Sequence, residues 1–194
     1  MIWFFLLSGL VLGWSLGAND AANVFGTAVS TRMVRFKTAA AIASVFVILG
    51  AVSSGSDTTE TLTALGAVNA IAGSFTVALS AGLTVAWMNR ASLPVSTSQA
   101  IVGAILGWNY FTDSPTNYSI LLQIMATWII SPLTSAVLAI LLYYAFKRVL
   151  ERAQMDMLMV DAYTRAGLIV VGALGAYSLG ANNIANVMGV FVPA

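Results

Sequence analysis

Charged residues cut this chain into long uncharged runs: 2–19, 21–31, 38–56, 61–89, 91–112, 114–146 and 166–194. A helix needs about 20 apolar residues to cross a bilayer, and most of these runs reach or approach that length. Open strands cannot cross, because lipid offers no partner to an edge N–H or C=O. Alternating segments of about 10 residues, the mark of a membrane barrel, are missing. The pattern predicts an all-α integral membrane protein, a multi-span helical bundle. Residues 61–112 admit two readings: two spans with Arg90 at the turn, or a re-entrant hairpin that enters and leaves on one side. Both return the chain to the same side. Residues 55–60 and 111–119 are read as loops, and the charge-rich segment 147–165 as a cytoplasmic connector.

Composition agrees. Apolar types make up 59% of the chain, charged types 8%, and the mean hydropathy is +0.91. Soluble domains carry about 25% charge, so a water-soluble globule is excluded, as are a disordered chain and a disulfide scaffold. The net charge is only +1, with no histidine and no cysteine. No basic surface for nucleic acid is expected. Neither is an enzyme: paired carboxylates, thiols, imidazoles and a Walker-type phosphate loop are all missing. Basic residues mark cytoplasmic loops. Arg32, Arg35 and Lys37 follow the first span, and Lys147, Arg148, Arg152 and Arg165 flank the last. This places the N-terminus outside a cell membrane crossed several times. A cleaved leader is not expected, since residues 1–13 lack a basic start and a cleavage site.

The chain also repeats itself. Residues 14–29, WSLGANDAANVFGTAV, align with 177–192, YSLGANNIANVMGVFV, at an offset of 163, with ten of sixteen positions identical. A small-residue ladder continues upstream, Gly9, Gly13 and Gly17 against Gly172, Ala176 and Gly180. Such ladders let helix backbones approach closely in lipid. By the loop charges, the first copy runs inward and the second outward. That makes an inverted-topology repeat, which in secondary transporters brackets a substrate site near the midplane. The expected organisation is a first repeat over 1–163, followed by the opening span of a second over 164–194. On the same offset, the partner of segment 93–107 would fall near 256–270. The rest of the second repeat is therefore expected elsewhere, in a further segment or chain that activity requires.

Two polar features interrupt the apolar background. Asp20 lies within an uncharged stretch, where a carboxylate costs at least about 2.5–3.5 kcal/mol and needs a cation, a proton or a helix end. Asn19 and Asn23 are its helix neighbours, and the copy at 182–186 supplies Asn182, Asn183 and Asn186. Gly17 and Gly26 would permit a break in the helix, exposing carbonyls to a cation and N–H groups to an anion. The second feature is SLPVSTSQAIVGAILG at 92–107. Pro94 suits a chain break just before a helix start. Ser96, Thr97 and Ser98 would then place hydroxyls beside free N–H groups, an anion site. Carboxylate, amides and carbonyls suit a hard cation such as Na⁺, while hydroxyls and N–H groups suit an oxyanion. A cation-coupled oxyanion transporter follows, with phosphate and sulfate both open. A passive pore is less consistent, since no ring of charges or filter motif is visible. A membrane scaffold without transport would leave Asp20 without a role.

GANDAANVFGTAV at 17–29, LPVSTSQAIVG at 93–103 and GANNIANVMGVFV at 180–192 resemble the inorganic phosphate transporter (PiT) family. Its pattern is a duplicated GAND-x-x-N segment and a duplicated P-[VI]-S-[TG]-[TS]-[HQ] segment. The resemblance implies a Na⁺- or H⁺-coupled phosphate symporter with inverted repeats, and some relatives carry sulfate. It implies phosphate contacts at Asp20, Asn23, Ser96, Thr97, Ser98 and Asn186. The Na⁺ ligands are expected among Asn19, Asp20, Asn23, Asn182, Asn183 and Gln99. Asn183 stands where Asp is frequent, and Gln99 where His is common. Both departures favour Na⁺ over H⁺ as the coupling ion, with no other cofactor. Expected partners are phosphate, Na⁺, membrane lipid and the missing second-half segment, with a homodimer as one conceivable assembly. Trp3, Trp108, Tyr110 and Trp128 are read as interface or packing residues, and Asn109 as a polar loop end. Arg90 is a topology signal if it lies at a turn, and an anion-attracting cation if the segment is a hairpin.

Overall fold

A computed structural model describes residues 2–65, 68, 71–153 and 155–192. It is helical throughout: α1 (Ile2–Ser30), α2 (Phe36–Ser54), α3 (Ser56–Leu65), α4 (Ile71–Arg90), α5 (Thr97–Phe111), α6 (Tyr118–Ala153) and α7 (Met157–Met188). Five of these, α1, α2, α4, α6 and α7, are long and apolar enough to cross a membrane.

Two expectations about breaks need correction. Residues 56–65 form helix α3 rather than a loop, and the side chains of Asp57 and Glu60 lie outside the described ones. The break expected over 147–165 is also shorter, lying between Ala153 and Met157. The first part of that segment extends α6, and the last part belongs to α7. Lys147 and Glu151, and likewise Asp161 and Arg165, pair one turn apart there, so the charges support helix instead of ending it. The boundary between residues 163 and 164 therefore falls inside α7.

Small residues set the packing. Gly50 of α2 sits against the main chain of Tyr177, and Gly180 of α7 against that of Val47. Neither position has room for a Cβ, which is the close approach that glycine permits. Two hydroxyl bonds strengthen the contact, as the Tyr177 hydroxyl meets Ser53 Oγ at 2.8 Å and Ser54 Oγ at 2.6 Å. Ala43 and Ile169 both pack on the cluster of Phe25, Ala28, Val34 and Ala39, and Gly55 lies near Ile184, so α2 and α7 run parallel. Helix α1 runs antiparallel to α7: Phe25 lies against Gly172, Asp20 bonds Asn183, and Gly9 faces Phe191.

Helix α4 runs parallel to α1. Phe75 stacks on Phe4 with ring centroids 5.3 Å apart, Gly82 packs on Leu12, and Asn89 Nδ2 donates to the Ser15 carbonyl at 3.2 Å. Helix α5 then returns along α4, bringing Trp108 back over Gly73. The two form a helical hairpin whose tip, 91–96, lies beside the middle of α1. Eleven residues of α1 continue past Asn19, about 17 Å at 1.5 Å per residue. The backbone discontinuity of the region lies at this tip. Helix α1 itself passes Gly17 and Gly26 without a break.

The main core gathers Leu12, Leu16, Val77, Ala81, Ile101 and Ile105 between α1 and the hairpin. Helix α6 stands apart. Ile120, Leu121, Ile124 and Trp128 touch this core, and none of its residues is buried.

Candidate functional site

The two repeat copies meet at one carboxylate. Asp20 is 8% exposed, on the α1 face turned to α7. Its Oδ1 accepts from Asn19 Nδ2 at 2.7 Å, and its Oδ2 from Asn183 Nδ2 at 2.8 Å. Asn183 is the residue aligned with Asp20 at offset 163. Antiparallel packing at nearly matched depth brings these twins face to face. Two amide donors satisfy the carboxylate oxygens, in a place where an unpartnered polar group would be costly.

The hairpin tip closes over this pair. Asn19 Nδ2 also donates to the Val95 carbonyl at 3.1 Å. Asn186 Nδ2 donates to Ser98 Oγ at 3.1 Å and to Asn183 Oδ1 at 3.2 Å. Asn19, Asp20, Asn183, Asn186 and Ser98 thus form one network joining α1, α7 and the start of α5. Local chemistry explains the tip. Helix α4 ends with Ser92 at φ 55, while Leu93 N–H bonds the Met88 carbonyl at 2.9 Å and Ser92 N–H the Asn89 carbonyl at 3.1 Å. That is a Schellman-type stop with a non-glycine residue at the left-handed position. Pro94 cannot continue a helix. Ser96 then caps α5, its Oγ accepting from Gln99 N–H at 3.4 Å. Thr97 is buried behind the cap.

Chemically, the network offers oxygen atoms of three kinds, carboxylate, amide and main-chain carbonyl, all suited to a hard cation. Beside them lie the hydroxyls and N–H groups at the start of a 15-residue helix, suited to an oxyanion. Among the described residues, no group of three or more His, Cys, Asp or Glu gathers.

Residues 16–163 match the model of the Phosphate transporter family. The chain belongs to that family. It is 33% identical over 163 residues to a Thermococcus kodakarensis protein named "Putative phosphate permease TK2061", covering 76% of this chain and 39% of that one. It is 32% identical over 155 residues to "Inorganic phosphate transporter 2-1, chloroplastic" of Arabidopsis thaliana, covering 74% of this chain and 26% of that one. The chain thus spans about two fifths of the first relative's length and about a quarter of the second's. No solved structure matches it.

In this member of the phosphate transporter family, five predicted site residues stand outside the network: Ser96 and Thr97 at the start of α5, and Asn23, Asn182 and Gln99. Asn23, Asn182 and the Gln99 side chain are exposed, and none has a hydrogen-bonded side chain among the described residues. Asn23 is the twin of Asn186, yet only Asn186 has a hairpin against it. Ser96 is also exposed, at the mouth of the site. The Val95 carbonyl escaped the residue-by-residue reading, because a main-chain atom leaves no side-chain signature. The signal available was Pro94, which frees carbonyls on either side of a helix start. Asn109 needs correction as well. It is buried, not a loop end, with Nδ2 bonded to Thr116 Oγ1 at 2.9 Å and Oδ1 without a partner among the described residues.

Proposed function

We propose that the chain forms part of a secondary transporter that carries inorganic phosphate together with Na⁺. The observation that carries this reading is the bond between Asp20 and Asn183 across the two repeat copies, under the hairpin tip. A carboxylate held between antiparallel twins is common to both halves of an inverted repeat, and can be reached from either side as the halves rock. Asp20, Asn19, Asn183 and the Val95 carbonyl would hold the cation. Ser96, Thr97, Ser98 and Asn186 would hold phosphate. The cation and the anion then offset one another's charge, so neither crosses alone. In this reading α4 and α5 enter the membrane from the side of the N-terminus, which is outside. Asn23, exposed here, would face the equivalent hairpin of a second repeat, which the longer relatives have length to contain. Gln99 offers no imidazole for a proton relay, which favours Na⁺ over H⁺.

The test is labelled phosphate uptake into proteoliposomes holding the protein with any partner that copurifies. Uptake should depend on an inward Na⁺ gradient, resist excess sulfate, and lose its Na⁺ dependence in Asp20→Asn. Gradient-independent flux would refute coupling, and suppression by sulfate would move the substrate to that anion. Unchanged Na⁺-dependent uptake by Asp20→Asn would remove the carboxylate from the mechanism.

A further inference from the structure

Arg90 is an exposed cation that no described side chain neutralises. It is the last residue of α4 and lies beside the middle of α1. It lines a groove of about 320 Å³ with Trp14, Ser15, Ala18, Ala86 and Asn89. It makes no ion pair or hydrogen bond among the described residues. In the membrane placement proposed above, a cation beside the middle of α1 requires a partner, and Asp20 is already committed. Asp20 is two positions beyond Ala18, about 200° around the helix at 3.6 residues per turn, so α1 stands between it and Arg90. Its two oxygens already take amides from Asn19 and Asn183. Of the other acids, Asp113 is at the far end of the hairpin, Glu151, Asp156 and Asp161 are at the α6–α7 turn, and Asp57 and Glu60, whose side chains are not among the described ones, belong to α3, which packs on α7 rather than on α4.

Capping does not explain Arg90 either. Basic residues near a helix C-terminus can satisfy its open carbonyls. Here the carbonyls of Trp87, Met88 and Asn89 already accept main-chain bonds from Ala91, Leu93 and Ser92. The guanidinium is therefore unused among the described residues, on a residue that lines the groove beside Trp14, Ser15 and Ala18. A planar fork of donors matches two oxygens of a tetrahedral oxyanion.

We propose that Arg90 is an anion-binding residue of the transport path, holding phosphate in the groove between α1 and α4 before it reaches the start of α5. This rests on the phosphate reading above. It adds a station and a residue that the hydroxyl-lined hairpin does not supply.

The experiment is equilibrium binding of labelled phosphate to protein purified from its own membranes with any bound partner, at low and high ionic strength. Wild type is compared with Arg90→Gln and Arg90→Lys. Loss of a charge-assisted contact should raise the half-saturating phosphate concentration about 10- to 100-fold in Arg90→Gln. Arg90→Lys should fall between, since it keeps the charge without the fork. The salt dependence of binding should shrink in Arg90→Gln and persist in Arg90→Lys. Circular dichroism identifies a misfolded Arg90→Gln. In that event Arg90→Lys decides, and half-saturation equal to wild type overturns the proposal. A folded Arg90→Gln with unchanged half-saturation overturns it too. So does one that sheds a copurifying partner but binds phosphate as before, because Arg90 then pairs with that partner's carboxylate. A wild type that binds no phosphate overturns the functional reading and this proposal together, whereas an unaffected Arg90→Gln in a phosphate-binding protein removes Arg90 alone.

Discussion

Gly17 and Gly180 occupy the same place in two nearly identical sequence segments, and the structure treats them oppositely. A Cβ on Gly180 would stand 2.7 Å from the Val47 carbonyl carbon and 2.8 Å from its Cα, with the carbonyl oxygen nearer still. A Cβ on Gly17 would meet nothing within 4 Å. Alanine should therefore be expensive at one twin and easy at the other. Both substitutions gain the same intrinsic helix preference, about 1 kcal/mol, so it cancels in the comparison. What survives is the overlap. To relieve it, α2 and α7 must part by roughly 1 Å along a backbone-to-backbone crossing, which places the cost toward the top of the usual range of about 1–3 kcal/mol for overpacking. The assay is equilibrium unfolding in mixed micelles, followed by circular dichroism, on Gly17→Ala and Gly180→Ala side by side. Gly180→Ala should be less stable than Gly17→Ala by about 2–3 kcal/mol, and Gly17→Ala no less stable than wild type. Equal stabilities would show that the α2–α7 crossing is looser than its glycines imply.

Three further outcomes follow from the site and its supports. Asn183→Asp would set a second carboxylate against Asp20, where two like charges need a proton or a cation between them. Its thermal stability should rise more with NaCl than with choline chloride, and an equal response would remove the cation argument. Tyr177→Phe deletes the two hydroxyl bonds to Ser53 and Ser54, and should cost about 0.6–1.7 kcal/mol in the same unfolding assay, the range for interhelical bonds in membranes. A larger loss would mean that the ring itself moves. Ser96→Ala removes the cap of α5. With a donor distance of 3.4 Å, its effect should sit near the low end of the capping range, about 0.5 kcal/mol, and Ser96→Asp should restore it.

The spans were legible because charge punctuates the chain wherever it leaves an apolar stretch, as at Arg32–Lys37. The same rule misread α3. Its sequence SDTTETLTAL is polar enough to pass for a loop, but Leu62 and Leu65 face the core, and two buried leucines suffice to pin a short helix against α7. The rule also misread 147–153, where Lys, Arg and Glu continue a helix beyond its apolar part. At the site, duplication made Asp20, Asn183 and Asn186 visible, since a polar motif kept twice in an apolar chain demands a shared purpose. Spacing alone could not tell which side chains of the motif meet. Asn182 is one residue from Asn183, yet 100° of helix rotation turns it away. The depth of the hairpin was legible only as an alternative, because turn residues look alike at a membrane surface and beside the middle of α1.

Helix α6 is 36 residues long, about 54 Å, whereas the hydrocarbon core of a bilayer is about 30 Å. Among the described residues, it packs on the core near its start, through Ile120, Leu121, Ile124 and Trp128. Pro132 follows at once and deprives the Trp128 carbonyl of its N–H partner. Past that joint every described residue of α6 is exposed. Nothing among the described residues fixes the angle of this second half, so whatever surrounds it must do so, as a mast stepped at one end only takes its angle from its stays.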